Sequence, residues 1–169
     1  SSYDVYFGAS SGGLSLVSNN QTATTYSPTA LSSNTTYYWK VVPANVAGEA
    51  SSCATISFTT AAPSPIISSS SLSAFGDVCI GSSSTQTFTM TGADLTSNVT
   101  IASLSGYTYS ISSGGTYSSS LSITPSGGSV SETIYVKFTP TAASDYSGTI
   151  DVSSSGASNA NVTVSSASG

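Results

Sequence analysis

The chain has 169 residues with Lys+Arg 2, Asp+Glu 7 and His 0, a formal net charge of −5, and only 5% charged residues, against roughly 25% in an ordinary soluble domain. Without histidine there is no Ser-His-Asp or Cys-His nucleophile system, no His-metal site and no imidazole base. The only side-chain cations are Lys40 and Lys137, so no guanidinium fork grips a phosphate and no basic patch offsets the counterion cost of binding nucleic acid, which the net negative charge also repels.

Along the chain the apolar residues alternate with a period of two, and no apolar face recurs every 3.6 residues over a long window. This pattern predicts strands over residues 3–8, 35–42, 55–59, 85–91, 98–104, 107–112, 118–124, 131–139, 147–153 and 161–165, separated by Gly, Asn, Ser and Pro clusters. In the second of these, Tyr37, Trp39 and Val41 share one face, with Tyr38, Lys40 and Val42 on the other. The fold class is therefore all-β. The segment Ala61-Ala62-Pro63-Ser64-Pro65 is stiffened by two prolines and lacks their ladder donors, which marks 62–65 as a linker between domains at 1–61 and 66–169.

Ser and Thr make up about two residues in five, an excess over ordinary usage. Even so, the recurrent Val, Ile, Leu, Phe and Tyr oppose disorder. No run of roughly 18 apolar residues is present, and Ser1-Ser2-Tyr3-Asp4 does not read as a leader, lacking a basic n-region followed by an apolar h-region. No membrane insertion is expected.

The stretch Leu31-Ser32-Ser33-Asn34-Thr35-Thr36-Tyr37, the small-residue loop Asn45-Val46-Ala47-Gly48-Glu49 and the strand Ile56-Ser57-Phe58-Thr59-Thr60 resemble the F–G region of a fibronectin type III domain. Tyr3-Asp4-Val5-Tyr6-Phe7-Gly8 resembles its strand C. The resemblance implies that Tyr37 is the corner tyrosine, its hydroxyl bonded back to the loop. It implies a strand E around residues 21–26, and it leaves strands A and B unrepresented. Each buried Phe or Tyr is worth ~1.5–3 kcal/mol, so a wet C–F–G face is unfavourable. The expectation is that the chain is cut from a longer polypeptide or that another chain supplies the strands, with Tyr37, Trp39, Val41 and Phe58 lining the groove that receives them.

The motifs Phe75-Gly76-Asp77-Val78-Cys79-Ile80-Gly81, Thr87-Phe88-Thr89-Met90-Thr91-Gly92-Ala93-Asp94-Leu95, Tyr135-Val136-Lys137-Phe138-Thr139-Pro140-Thr141 and Tyr146-Ser147-Gly148-Thr149-Ile150 resemble immunoglobulin-like repeats of bacterial secreted proteins. These are related in pattern to abnormal-spindle and major-sperm-protein sandwiches and are associated with type IX secretion. Together the two resemblances imply tandem immunoglobulin-like antiparallel β-sandwiches, the first incomplete, in an interior piece of a large extracellular protein.

The seven carboxylates, Asp4, Glu49, Asp77, Asp94, Glu132, Asp145 and Asp151, form no motif that would place two across a cleft as a glycosidase requires. Asp77, Asp94 and Asp145 sit in turn-like contexts where Asp bonds its own backbone. No D-x-D-x-D-G calcium loop is present. Thr85, Thr87, Thr89 and Thr91 alternate with Phe88 and Met90, as exposed strand threonines do. Four sequons, at Asn20, Asn34, Asn98 and Asn161, are few enough for chance in so Ser- and Thr-rich a chain. Tyr107, Tyr109 and Tyr117 form a candidate stacking surface for glycans. Cys53 and Cys79 are the disulfide candidates, paired with each other or with cysteines beyond the chain, which implies an oxidising setting. By the first resemblance Cys53 pairs near the start of its domain.

The resulting expectation is a non-catalytic, cofactor-free structural or adhesive segment, extracellular or at the cell surface. Its partners are neighbouring domains of the same protein or identical subunits, as in a fibre completed by strands from a neighbouring chain. The alternative is a carbohydrate-binding accessory module of a secreted enzyme, with extracellular glycans as ligand.

Overall fold

The period-two alternation becomes strand throughout: the computed structural model describes residues 1–165 and 167–169 and contains no helix among them. The fold is all-β. Two compact units, Ser1–Pro63 and Ser64–Gly169, are described separately.

In the first unit, β1 (Ser2–Gly8), β2 (Ser15–Gln21), β3 (Thr36–Asn45), β4 (Gly48–Glu49) and β5 (Ile56–Thr59) form one antiparallel sheet. β1 lies between β2 and β3, and both β4 and β5 pair with β3. Val5 pairs with Val41 and Phe7 with Trp39, while Tyr37 pairs with Phe58 and Trp39 with Ile56. Directly paired residues share a face, so these side chains form one continuous apolar surface. On the reverse face Tyr6 pairs with Lys40, whose Nζ lies 4.6 Å from the Tyr6 ring centroid, a cation–π contact. The register between β1 and β2 steps from Tyr3↔Gln21 to Val5↔Ser18, a bulge on β2. Asn20, at φ 52, donates its N–H at this bulge to Oδ1 of the buried Asp4 at 2.6 Å.

The strand expected over residues 21–26 does not form. The ladder ends at Gln21, whose Nε2 donates to the carbonyls of Ala23 at 2.8 Å and Thr25 at 3.2 Å, and the chain bends at Thr24. With no neighbouring strand to bond those carbonyls, the side chain of Gln21 does so locally.

The second unit contains β6 (Ile66–Ser69), β7 (Gly76–Asp77), β8 (Ser84–Ala93), β9 (Val99–Ile101), β10 (Tyr107–Ser110) and β11 (Leu121–Ile123). It continues with β12 (Val130–Phe138), β13 (Gly148–Ile150), β14 (Val152–Ser153), β15 (Val162–Val164) and β16 (Ala167–Ser168). One sheet runs β10-β12-β8-β6; facing strands group as β11-β9-β14 and β13-β15, with a short parallel pair of β16 and β7. The single strand expected over 147–153 is thus two. Gly148–Ile150 pairs with β15 and Val152–Ser153 with β9, so the chain changes neighbour at Asp151.

Alternation along β8 and β12 buries Phe88, Met90, Ile134, Val136 and Phe138, which meet Val99, Ile101, Ile150, Val152, Val162 and Val164 in one cluster. Thr85, Thr87, Thr89 and Thr91 lie exposed on the outer face, as expected. At the centre, the Phe138 ring lies 4.9 Å from Tyr107, 5.5 Å from Phe75 and 5.2 Å from Tyr146, centroid to centroid. Gly106, at φ +87, brings the chain into β10 so close to the Tyr146 ring that a Cβ would sit 2.7 Å from it. Only glycine fits there.

Phe138→Ala removes a fully buried ring from this cluster, and chemical denaturation will show a loss of ~3–5 kcal/mol. Thr87→Ala on the outer face will fall within about 0.5 kcal/mol of the parent. Tyr109 is fully buried, and among the described residues its hydroxyl has no hydrogen-bond partner. Removing an unsatisfied buried hydroxyl relieves a desolvation cost, so Tyr109→Phe will raise stability, by roughly 1 kcal/mol in the same assay.

Candidate functional site: an open apolar groove on the first unit

In an ordinary sandwich the apolar face of the first sheet lies under a second layer. Within this unit it floors a solvent-open groove of about 540 Å³. Tyr3, Val5 and Phe7 of β1, Trp39 and Val41 of β3 and Phe58 of β5 form the floor. The segment from Gln21 through Ala23, Thr24, Thr25 and Tyr26 to Pro28 forms the wall. No lining side chain carries a charge.

Burial differs sharply between the units. Of the buried apolar residues, only Val5 and Val42 belong to the first unit, and the rest fill the core of the second. Ile56 remains 50% exposed and Phe58 41% exposed. Several side chains worth ~1.5–3 kcal/mol each when buried are thus left in contact with water.

Three of the expected groove residues, Trp39, Val41 and Phe58, line it. Tyr37 instead stacks on Phe7 with centroids 5.2 Å apart and packs against Phe58 at 6.0 Å. Its hydroxyl accepts the N–H of Ser32 at 3.0 Å. Tyr37 is thus fixed at both ends and positions the turn that precedes β3. Reading β3 and β5 alone misses the contribution of β1. The alternation of Tyr3, Val5 and Phe7 was the available signal, and the pairing of β1 with β3 brings them to the same face. Residues 23–26 were not predicted as a wall because they were expected to be strand.

The tyrosines of the second unit correct a sequence expectation. Tyr107 and Tyr109 are core residues, 3% and 0% exposed. Tyr117 is only half-exposed, with Lys137 Nζ 3.9 Å from its ring centroid. No stacking surface for a sugar results, because the inward alternation of β10 carries both Tyr107 and Tyr109 into the sandwich. Tyr146 has the role that its sequence context did not reveal. Its hydroxyl accepts the N–H groups of Thr141 at 3.0 Å and Ala142 at 3.1 Å, reproducing the five-residue loop closure made by Tyr37.

The remaining candidates stay apart. Cys53 of the first unit is half-buried and Cys79 of the second is exposed, each a free thiol. Asp145 Oδ1 accepts the N–H of Ser147 at 2.8 Å and its hydroxyl at 2.6 Å, which holds its carboxyl below the usual range. Asp77 accepts the Ser168 hydroxyl, and Asp94 occupies a turn at φ 54. Among the described residues, no three His, Cys, Asp or Glu side chains gather as metal ligands.

No protein-family model and no curated protein matches the chain.

The tyrosines should separate in a spectrophotometric titration. Donated hydrogen bonds, led by those of Thr141, bring Tyr146 down to about 8, whereas burial first of all pushes Tyr107 and Tyr109 up to about 12. Tyr146 then adds stability as pH rises from about 8 towards the free value of about 10. Tyr107 and Tyr109 contribute fully below about 10, and their contribution is lost as pH rises through about 12. Phenolate absorbance should therefore show one early and two late groups, with Tyr146→Phe deleting the early one.

Proposed function

We propose that the chain is a non-catalytic structural or adhesive segment of a large secreted or cell-surface bacterial protein, acting as a subunit of an extracellular fibre. The observation that carries this reading is the apolar sheet of the first unit, uncovered within that unit, whereas the core of the second unit is filled. A surface dominated by Ser and Thr with few charges suits an inert extracellular spacer.

Two features support the fibronectin type III resemblance on which the reading leans. β3 lies between β1 and β5, the order implied for strands C, F and G, and the Tyr37 hydroxyl closes onto the preceding turn at Ser32. The alternative of a glycan-binding module cannot draw on Tyr107 and Tyr109, which lie in the core.

Immunogold electron microscopy of the native source tests the proposal. Labelled filaments or a continuous surface array are expected. Isolated monomers with a self-contained first unit would overturn it.

A further inference from the structure

We infer that the groove of the first unit binds an uncharged β-strand supplied in trans, with apolar side chains at alternate positions, and that residues 23–26 become strand on binding it. Supply in trans rests on the assembly reading above; the chemistry of the occupant rests on the groove itself.

Gln21-Thr22-Ala23-Thr24-Thr25-Tyr26 is rich in β-branched and aromatic residues that favour a pleated, half-buried setting. The segment nevertheless carries no ladder beyond Gln21 and makes none of the backbone–backbone hydrogen bonds found elsewhere in turns and loops. Local sequence and observed conformation conflict, as they do where an element lacks the neighbour that would complete it. The segment also borders an apolar floor built from three paired strands. One occupant satisfies both. A strand added beside residues 23–26 gains main-chain bonds, and its inward side chains cover Trp39, Val41 and Phe58. Inward charges are excluded, since no lining group would pair with them.

The Gln21 amide makes the inference specific. Its bonds to the carbonyls of Ala23 and Thr25 hold the bend at Thr24, and they must be released before the segment can straighten. Gln21 thus opposes binding although it lines the groove.

Trp39 is the only tryptophan and lies in the floor, so its fluorescence reports occupancy. The probe is the blocked peptide Ser-Thr-Val-Thr-Val-Thr-Val-Thr-Ser, and the control is its isomer with the valines contiguous, each titrated into the full chain. The alternating peptide should shift Trp39 emission to shorter wavelength saturably, and amide exchange should slow at residues 23–26. The isomer should do neither. Val41→Lys should weaken binding at least about tenfold, with unchanged exchange in the second unit confirming that the variant is folded there. Gln21→Ala should tighten binding, an effect that nonspecific apolar adhesion would not produce.

No saturable shift, equal response to the isomer, no protection at 23–26, or unchanged or weaker binding by Gln21→Ala would overturn the inference. So would a Trp39 shift that depends on protein concentration alone and leaves residues 23–26 unprotected, since two copies would then cover each other face to face with no strand added. Failure of strand binding would leave labelled filaments at the native source unaffected, so the functional reading is tested separately by microscopy.

Discussion

A β-sheet with one apolar face requires a second layer, and the two units meet this requirement unequally. In the second unit, strands from both layers contribute side chains to one cluster around Phe138, so alternation along each strand is converted into burial. In the first unit the same alternation along β1, β3 and β5 produces an equally apolar face that stays open. The difference does not lie in the local sequence of the strands. Within the first unit itself no second layer lies over the sheet, and the bend at Thr24, the local bonding by Gln21 and the exposure of Phe58 accompany that.

Tyrosine serves three purposes in this chain. Tyr37 and Tyr146 each place a ring against other aromatics and use the hydroxyl to fix a loop through a backbone N–H five residues earlier. Tyr107 is a core ring whose hydroxyl donates to the carbonyl of Tyr146 at 3.1 Å. Tyr6 and Tyr117 each receive a lysine on their faces. With so few charges available, these polar tips and π-faces take on positioning tasks that ion pairs perform elsewhere.

The all-β class, the outward threonines of β8 and the apolar face of β3 were legible in the sequence because period-two alternation maps directly onto the two faces of a strand. The groove was legible in part, through Trp39, Val41 and Phe58. Its wall was not, since the β-branched residues of 22–25 signal a strand whether or not a partner exists to pair with. Tyr107 and Tyr109 were misread for a related reason. A tyrosine pair spaced by two identifies a common face, but which face turns inward depends on pairing across the sheet, here with Phe138 and Val136 of β12. The switch of neighbours at Asp151 was likewise invisible, as it depends on contacts distant in sequence.

Placement of the two lysines also sets how the chain meets a protease. Lys40 lies within β3, paired with Tyr6 of β1, and Lys137 within β12, paired with Thr108 of β10 on one side and Thr85 of β8 on the other. A serine protease of tryptic specificity must draw an extended segment into its cleft, which neither strand permits until its sheet opens. Each unit therefore holds one cleavable bond, and the rate of cutting at each measures that unit's own opening. The scarcity of positive charge gives the molecule two separate internal clocks, one for an open sheet and one for a closed sandwich.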